Sequence, residues 1–310
     1  MKQLTTHILM IEPVAFRYNE ETAKNNYYQK ELESVPVGDI QMRALKEFNE
    51  FVEKLEQKGV HIHVIQDTIT PDTPDSIFPN NWVSFHQDGR VALYPMCAEN
   101  RRKERRPDIL DKLRAKNFNI TSVIDLSVYE SEDVFLEGTG SMILDRQNKI
   151  CYAAISIRTD KEIALKFCSE FDYDLMSFTA YQTHNGERLP IYHTNVMMCV
   201  ADRYVVICLD AIDDLEERKM LIDCFEKTEK EVIDISEEQK HEFAGNMLQV
   251  RGHEPYLVMS TSAYKSLNEE QLKKIEKFNP IIHSELNTVQ ACGGGSARCM
   301  MVEVFLPLNA

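Results

Sequence analysis

The strongest constraint on the fold is a unit of two short strands, a tight turn and a helix that recurs along the chain. Runs of β-branched and aromatic residues flank a polar turn in four segments: NNWVSFHQDGRVALYP, SMILDRQNKICYAAI, NVMMCVADRYVVICL and NMLQVRGHEPYLVMS. Such runs on either side of Gly, Asp or Asn are typical of β-hairpins. The turns fall near Gly89, Gln147, Asp202 and Gly252, at spacings of 58, 55 and 50 residues.

A helix is expected after each hairpin. Apolar residues at three- and four-residue intervals among charged ones predict helices at about 99–116, 160–170, 212–227 and 262–278. A fifth unit would join the C-terminal strand RCMMVEVFLP to the N-terminal strand HILMIEP, with a helix around 39–57. Periodicity of this length indicates a radial or solenoid architecture. Five units predict one α/β propeller domain over residues 1–310, with its helices outside.

Charge and hydropathy narrow the class of protein. The net charge of −15 argues against a protein that follows nucleic-acid phosphates. The basic run at 101–106 lies among acidic residues, so we interpret it as a solvated helix face. No run of about 18 apolar residues predicts a membrane span, and the N-terminal MKQLTTHILMIEP is better interpreted as a first strand than as a signal peptide. We therefore expect neither nucleic acid nor membrane as a partner.

The cysteines indicate a reducing compartment. None of the eight forms a C-x-x-C pair, and most lie in apolar, strand-like segments such as VMMCV and VVICL. Buried thiols in a reducing cytosol fit this pattern better than a disulfide framework or a zinc site. We therefore expect a cytoplasmic protein whose thiols are mostly structural.

Five polar residues occupy the same point of the five repeats, immediately before the first strand: Asn81, Glu137, His193, Asn246 and Cys299. In a closed ring, equivalent points converge on the axis. A thiol, an imidazole and a carboxylate in one pocket are the minimum for nucleophilic catalysis. The glycines at 293–295 would let backbone pack closely beside the thiol.

Other polar and aromatic residues have structural interpretations. Asn246 is better explained as a turn residue than as a ligand. The histidines at 61, 63 and 86 lie in strand-like segments and are expected to be structural, with a metal at His61-x-His63 as the weaker alternative. Trp82 is expected in the core beside the pocket. The loop at 13–19 is expected to cover the site.

Four short motifs follow one another along the chain: LEG at Glu137, SIRT at Arg158, a histidine before a strand at His193, and GGGSARC ending at Cys299. Together they resemble the guanidine-modifying, or pentein, superfamily, which includes arginine deiminases, dimethylarginine dimethylaminohydrolases and amidinotransferases. The resemblance runs from HILMIEPVAF to the last strand. It implies a pseudo-fivefold α/β propeller of five ββαβ modules.

The resemblance also implies a role for each motif. Cys299 would be the nucleophile, His193 the acid/base, Glu137 the carboxylate that orients the substrate, and Arg158 the residue that binds its α-carboxylate. The thiolate attacks the planar carbon of a guanidine or ureido group, and the histidine protonates the departing amine and then activates water. Arg298 would either increase the thiolate fraction or bind a carboxylate. Covalent chemistry of this kind needs no cofactor or metal.

Two positions depart from arginine deiminases, which carry Asp where this chain has Asn81 and Asn195. A guanidinium is cationic and offers only donors, which carboxylates match, whereas a neutral ureido group has a carbonyl acceptor besides its N–H donors. A carboxamide both donates and accepts, so the exchange favours a ureido substrate. The chain also resembles the citrulline-utilisation hydrolase branch of the superfamily, which implies hydrolysis of citrulline to ornithine, ammonia and carbon dioxide.

Three alternatives stay open at this point. The first is a deiminase-type hydrolase of arginine or dimethylarginine, and the second is an amidinotransferase in which an amine replaces water. The third is a non-catalytic propeller used for binding, which would be expected to lack the thiol and the imidazole. The expected partner is a small amino-acid substrate, and a homodimer is an untested expectation.

Overall fold

Five three-stranded sheets of one design form the framework of the computed structural model, which describes residues 2–309. In each sheet the first two strands are antiparallel, and the third strand is parallel to the second. We number the sheets as blades 1 to 5, with these strands: Val83–Phe85, Arg90–Leu93 and Ser122–Asp125; Ile143–Asp145, Ile150–Ala154 and Asp174–Phe178; Met198–Val200, Tyr204–Ile207 and Glu231–Asp234; Leu248–Arg251, Pro255–Ser260 and Ile281–Ser284; and Val302–Glu303, His7–Glu12 and His61–Gln66.

Blade 5 joins the two ends of the chain. Its strand Val302–Glu303 is antiparallel to His7–Glu12, and His7–Glu12 is parallel to His61–Gln66. The predicted pairing of the C-terminal and N-terminal strands is therefore confirmed. The predicted α/β fold of repeated ββαβ modules is confirmed as well.

Each blade carries a helix between its second and third strands. The longer helices, from blade 1 to blade 5, are Pro107–Ala115, Lys161–Phe171, Leu215–Lys227, Glu269–Glu276 and Val37–Gln57. Shorter α-helices are Glu20–Ala23, Glu99–Arg102, Gly138–Ser141, Glu237–His241, Thr261–Ser266 and Asn287–Gly293.

Two of the predicted helices are divided in the structure. The one expected at 99–116 breaks before Pro107, which lacks a backbone N–H and begins a new helix. The one expected at 262–278 breaks at Asn268, whose side chain caps the helix that follows. Local propensity was correct for both segments, but these breaks were not predicted.

Short helical turns precede the first strands of the blades and bring the candidate residues together. They are Pro79–Asn81, Gly138–Ser141, Thr194–Val196 and Ala297–Met300. The Gly138–Ser141 turn packs against Pro79–Asn81 and Thr194–Val196, and Pro79–Asn81 packs against Ala297–Met300. The predicted convergence of equivalent repeat positions is therefore present in the structure.

The hydrophobic core lies between neighbouring blades and beneath their helices. Trp82, 1% exposed, packs with Leu9 and Val302 in one such layer, so its predicted core position is confirmed. A hairpin outside the repeat, Tyr181–His184 with Glu187–Pro190, was not predicted. Within residues 2–309 no helix combines the length and apolar character needed to cross a bilayer.

The interpretation of the 101–106 run as a solvated face is wrong. Arg101 is buried, and its guanidinium binds Glu104 through Nε (2.8 Å) and Nη2 (3.0 Å). Arg105 pairs with Glu130 and Arg106 with Asp108. The acidic partners Glu104 and Asp108 lie close in sequence, whereas Glu130 lies 25 residues from Arg105. Of these arginines, Arg101 lines the pocket described below.

Candidate active site

His193 and Glu137 form the centre of the site. Each is the residue immediately before a helical turn, and each is buried. His193 Nε2 lies 2.7 Å from Glu137 Oε2. Glu137 Oε2 also accepts from Arg158 Nη1 at 3.4 Å, while Oε1 accepts from the backbone N–H of Cys97 at 2.9 Å. One carboxylate therefore serves three donors.

The charge states follow from burial and from these contacts. Burial lowers the pKa of His193 to about 4, although Glu137 opposes the shift. Burial alone would raise the pKa of Glu137, but Arg158 and the hydrogen bond from His193 hold it below its usual range. Near neutral pH His193 is therefore a neutral imidazole that donates from Nε2 to an ionised carboxylate. Its Nδ1 lone pair is left to exchange protons.

The segment that follows the strand His7–Glu12 shields Arg158 from solvent. Its Nε donates to Asn25 Oδ1 at 2.9 Å, and its Nη2 donates to the carbonyl of Thr22 at 3.0 Å. The guanidinium also lies over the ring of Tyr192, 5.1 Å from its centroid. This places a buried cation in the pocket, but its predicted role toward a substrate carboxylate stays a prediction.

Cys299 lies in the turn Ala297–Met300 and faces two carboxamides. Asn246 Nδ2 is 3.2 Å from the sulfur and Asn195 Nδ2 is 3.4 Å from it. Asn246, predicted as a turn residue rather than a ligand, does not line the pocket, but its side chain contacts the thiol. The glycines that precede Cys299 pack closely, as expected, since a Cβ on Gly293 or Gly295 would collide with the ring of Phe78.

The side chain of Asn81 accepts a hydrogen bond from an arginine, which can only donate. Arg101 Nη1 donates to Asn81 Oδ1 at 2.8 Å, which leaves Asn81 Nδ2 buried and without a partner among the described residues. The amide lies close to the imidazole because Gly140 has no side chain. A Cβ on Gly140 would be 2.8 Å from His193 Nδ1. Burial also raises the pKa of Glu104, the carboxylate behind Arg101, to about 7.

The pocket is small and closed in this structure. Its cavity measures about 20 Å³, room for little more than one water molecule. The catalytic candidates and several buried polar residues line it: Thr22, Asn26, Asp75, Phe78, Asn81, Arg101, Arg158, Tyr192, His193, the glycines at 293–295 and Cys299. An amino acid needs far more space, so some part of the wall must move for a substrate to bind.

Residues 19–29, which we call the lid, cover one side of the pocket, and Thr22 and Asn26 among them line it. Polar contacts attach it to the pocket wall: Asn19 to Asp75 (2.7 Å), Asn26 to the carbonyl of Gly294 (3.4 Å) and Gln29 to that of Cys292 (2.9 Å). Tyr28 packs against Tyr192 and Phe243. The predicted covering loop at 13–19 shares only Asn19 with the lid, and the residues of the lid that line the pocket, Thr22 and Asn26, follow it.

Arg298 lies beneath the site and does not line the pocket. It is buried, and its Nη1 donates to the carbonyl of Met301 while Nη2 contacts Glu303 at 3.2 Å. A substrate-binding role for it receives no support from this placement. Arg298 remains a charged neighbour of the thiol.

The three histidines of blade 5, His7, His61 and His63, stack on one another. His63 Nε2 lies 3.1 Å from His7 Nδ1, and the His7 and His61 rings stack at 5.0 Å. Across residues 2–309, no group of three or more His, Cys, Asp or Glu has a geometry that could hold a metal ion.

Two charged residues that line the pocket, Asp75 and Arg101, were not predicted from the sequence as part of the site. Asp75 is buried with one carboxylate oxygen unpartnered among the described residues, and its other oxygen lies 3.9 Å from Arg101 Nε. Burial raises the pKa of Asp75, with Arg101 opposing the shift. Asp75 lies six residues before the repeat position Asn81, where the repeat pattern gave no signal.

The depressed pKa of His193 predicts an acid sensitivity that depends on this residue. In the unfolded chain its pKa is about 6.5, so between about pH 6.5 and pH 4 the unfolded chain takes up a proton that the folded chain refuses. The folded state therefore loses stability across this window, by up to about 1.4 kcal/mol per pH unit. We expect the unfolding free energy of His193→Gln, measured with urea at pH 7, 6 and 5, to fall less steeply than that of the wild type. Parallel slopes would contradict the assignment of a neutral, buried imidazole.

Comparisons with known proteins agree with this architecture. The sequence matches the model of a family described as N,N dimethylarginine dimethylhydrolase, eukaryotic, over residues 12–306. No curated protein sequence gives a significant match.

Solved structures share the fold at low sequence identity. ArgZ, an arginine dihydrolase from the ornithine-ammonia cycle in cyanobacteria, gives a TM-score of 0.74 at 16% identity over 98% of this chain, which spans only 41% of ArgZ. The N-terminal domain of ArgZ, solved with substrate, gives 0.74 at 17% identity, with 98% of this chain and 99% of that domain covered. A dimethylarginine dimethylaminohydrolase adduct with S-methyl-L-thiocitrulline gives 0.63 at 15% identity, with 97% and 100% covered.

Proposed function

The chain belongs to the eukaryotic N,N-dimethylarginine dimethylhydrolase family, whose members are hydrolases of guanidino groups, and on that premise we propose that it is a cysteine-dependent hydrolase of a ureido amino acid, with citrulline as its substrate. Cys299 is the nucleophile, His193 the acid/base and Glu137 the carboxylate that orients them. The products are ornithine, ammonia and carbon dioxide.

The observation that carries the substrate is a pair of unsatisfied amide atoms. Asn81 Nδ2 is a buried donor and Asn195 Oδ1 a buried acceptor, and neither has a partner among the described residues. A buried polar group left unpaired costs about 1–3 kcal/mol, so such atoms are expected where a ligand binds. A ureido group supplies a carbonyl oxygen for Asn81 and an N–H for Asn195. A guanidinium offers only N–H groups and leaves the Asn81 donor unpaired.

The chemistry follows from the charge states. His193 Nδ1 takes the proton of the Cys299 thiol, and the thiolate forms a C–S bond to the ureido carbon. When the C–N bond breaks, the imidazolium returns the proton to the departing nitrogen. Neutral His193 then takes a proton from water, and the hydroxide breaks the C–S bond. The carbamic acid that remains loses carbon dioxide, so one citrulline and one water give ornithine, ammonia and carbon dioxide.

The rest of the pocket suits the charged end of an amino acid. We retain Arg158 as the predicted partner of the α-carboxylate. Arg101 and Asp75 also line the pocket and add a second cation and an anion, the complement of a zwitterion.

Dimethylarginine and arginine are the second candidates. The first is favoured by the family match, and the second by the fold shared with ArgZ, an arginine dihydrolase. Both substrates carry a guanidinium cation, which would leave the N–H donor of Asn81 unpaired.

Ammonia and ornithine release should be measured in parallel with citrulline, arginine, dimethylarginine and succinylarginine, using Cys299→Ser as the blank. We expect kcat/KM for citrulline to exceed that for arginine by at least about tenfold, the equivalent of one unsatisfied donor. Asn81→Asp replaces that donor by an acceptor, so its preference for citrulline over arginine should fall by about tenfold or more. Asn185→Asp makes the same change in an exposed turn of the outer hairpin and should alter neither rate.

Each outcome bears on a different part of the proposal. Turnover of arginine as fast as citrulline by the wild type would reject the ureido preference and keep the thiolate mechanism. An Asn81→Asp variant with unchanged selectivity would show that Asn81 does not read the substrate. Turnover by Cys299→Ser at the wild-type rate would remove Cys299 as the nucleophile.

A further inference from the structure

The side chain of Asn246 has one orientation fixed by its neighbours. Its Oδ1 accepts from the backbone N–H of Arg298 at 3.0 Å, and an amide N–H can only donate. Its Nδ2 therefore points the other way, where it donates to the carbonyl of Asn195 at 3.0 Å and lies 3.2 Å from the sulfur of Cys299. The amide cannot flip without losing both backbone contacts, so it presents an N–H to the sulfur permanently.

A second amide N–H reaches the same sulfur. Asn195 Nδ2 lies 3.4 Å from Cys299 Sγ, and Asn195 itself is buried. Two neutral donors directed at one sulfur stabilise its anionic form more than its protonated form, because hydrogen bonds to an ionised acceptor are roughly twice as strong as those to a neutral one.

The charges beneath the sulfur act in the same direction. Arg298 and Arg146 are both buried beside Glu303, at 3.2 Å and 3.6 Å, so two guanidinium groups share one carboxylate. Burial lowers the pKa of Arg298, and the charges of Glu303 and Cys299 oppose the shift. The two guanidinium groups and the one carboxylate below the thiol therefore carry a net positive charge.

A neutral substrate makes these groups necessary. A guanidinium brings its own positive charge to the sulfur when it binds, whereas a ureido group brings none. For such a substrate the protein has to supply the stabilisation of the thiolate. The amides of Asn195 and Asn246 and the net positive charge below the thiol are placed to do so.

We propose that Asn246 is a catalytic residue of this site, which together with Asn195 stabilises, through two amide N–H donors, the thiolate that Cys299 forms when His193 takes its proton. The proposal rests on the assignment of Cys299 as the nucleophile under the proposed function. It adds to the Cys–His–Glu set a residue from the fourth repeat, whose contribution is independent of the substrate.

The test is the pH profile for alkylation of Cys299 by iodoacetamide, followed by mass spectrometry of the peptide that contains it, so that the other seven cysteines do not interfere. Rates are divided by the plateau at high pH, which removes differences in access through the lid. For Asn246→Ala we expect the midpoint to move up by at least about one pH unit and the relative rate at pH 7 to fall about tenfold. One charge-assisted hydrogen bond is strong enough for this change.

Asn246→Asp provides an isosteric second variant. Its carboxylate can still accept from the N–H of Arg298, but it places an acceptor with negative charge against the sulfur. Its midpoint should move further upward than that of Asn246→Ala. Asn279→Ala is the matched control, since Asn279 is a buried amide bound to Tyr204 and Gln249 rather than to a thiol. Its midpoint should stay at the wild-type value.

Unchanged midpoints in both Asn246 variants would overturn the proposal, even if the variants unfolded at lower temperature, because a purely structural role alters stability without altering the ionisation of the sulfur. Alkylation requires no substrate. Shifted midpoints in a protein that does not hydrolyse citrulline would therefore reject the proposed substrate and leave the role of Asn246 intact.

Discussion

Cys299→Ser is expected to lower citrulline turnover by at least about 10⁴-fold while the protein stays folded. A serine hydroxyl ionises far less readily than a thiol, and neither the two amide donors nor His193 can compensate for that difference. The sulfur is buried in the turn Ala297–Met300, and replacing it with oxygen changes its volume only slightly. Ornithine formation gives the rate, and thermal unfolding together with calorimetric binding of citrulline shows whether the pocket survives.

Cys168→Ser is the matched control for this substitution. Cys168 is also a buried thiol, but it lies in the helix Lys161–Phe171 on the outside of blade 2. Citrulline turnover by Cys168→Ser should stay within about twofold of the wild type, with a small loss of stability from the buried hydroxyl. Residual turnover above about 1% in Cys299→Ser would point to a different nucleophile. Loss of citrulline binding in the same variant would show that the substitution had damaged the pocket.

The repeat explains why so much of the framework could be predicted. Runs of β-branched and aromatic residues around Gly, Asp and Asn turns are local features, and the five modules place their equivalent residues in contact through geometry alone. The positions of Asn81, Glu137, His193 and Cys299 therefore followed from counting along the chain. Their roles in chemistry remain predictions that the variants above test.

Features that depend on partners distant in sequence could not be found in this way. Arg101 lies in a charged run that has every mark of a solvated face, and only the fold reveals that Asn81 and Glu104 surround it. The lid has no periodicity, because its contacts are made by single polar side chains such as Asn19 and Gln29 with groups more than 50 residues away. Composition indicates a loop there, but not what the loop covers.

Asn246 illustrates a different limit. Its place in the fourth repeat was recognised, but an asparagine before a strand is most often a turn residue, and the residue type alone gave no reason to expect more. The contact with Cys299 depends on the orientation of its amide, which the backbone N–H of Arg298 determines. Orientation of this kind is a tertiary property that no spacing rule can supply.

Glu137→Gln is expected to lower kcat by about 10²–10⁴-fold and to destabilise the folded state by about 3–5 kcal/mol. The carboxylate accepts from three donors: His193 Nε2, Arg158 Nη1 and the backbone N–H of Cys97. A glutamine has one oxygen and two N–H donors, so at least one of these groups must face another donor. The buried guanidinium of Arg158 also loses its only charged partner in the described structure.

The two effects can be separated by comparing kcat with KM and with the urea unfolding curve. If the carboxylate fixes the His193 tautomer, kcat falls even in the molecules that remain folded, and the loss is not recovered at saturating citrulline. Glu231→Gln provides the control, because that carboxylate pairs with Lys277 near the surface, where a lost ion pair costs at most about 1 kcal/mol. A Glu137→Gln enzyme with kcat within tenfold of the wild type would mean that the imidazole is oriented without this carboxylate, and the site would then depend on Cys299 and His193 alone.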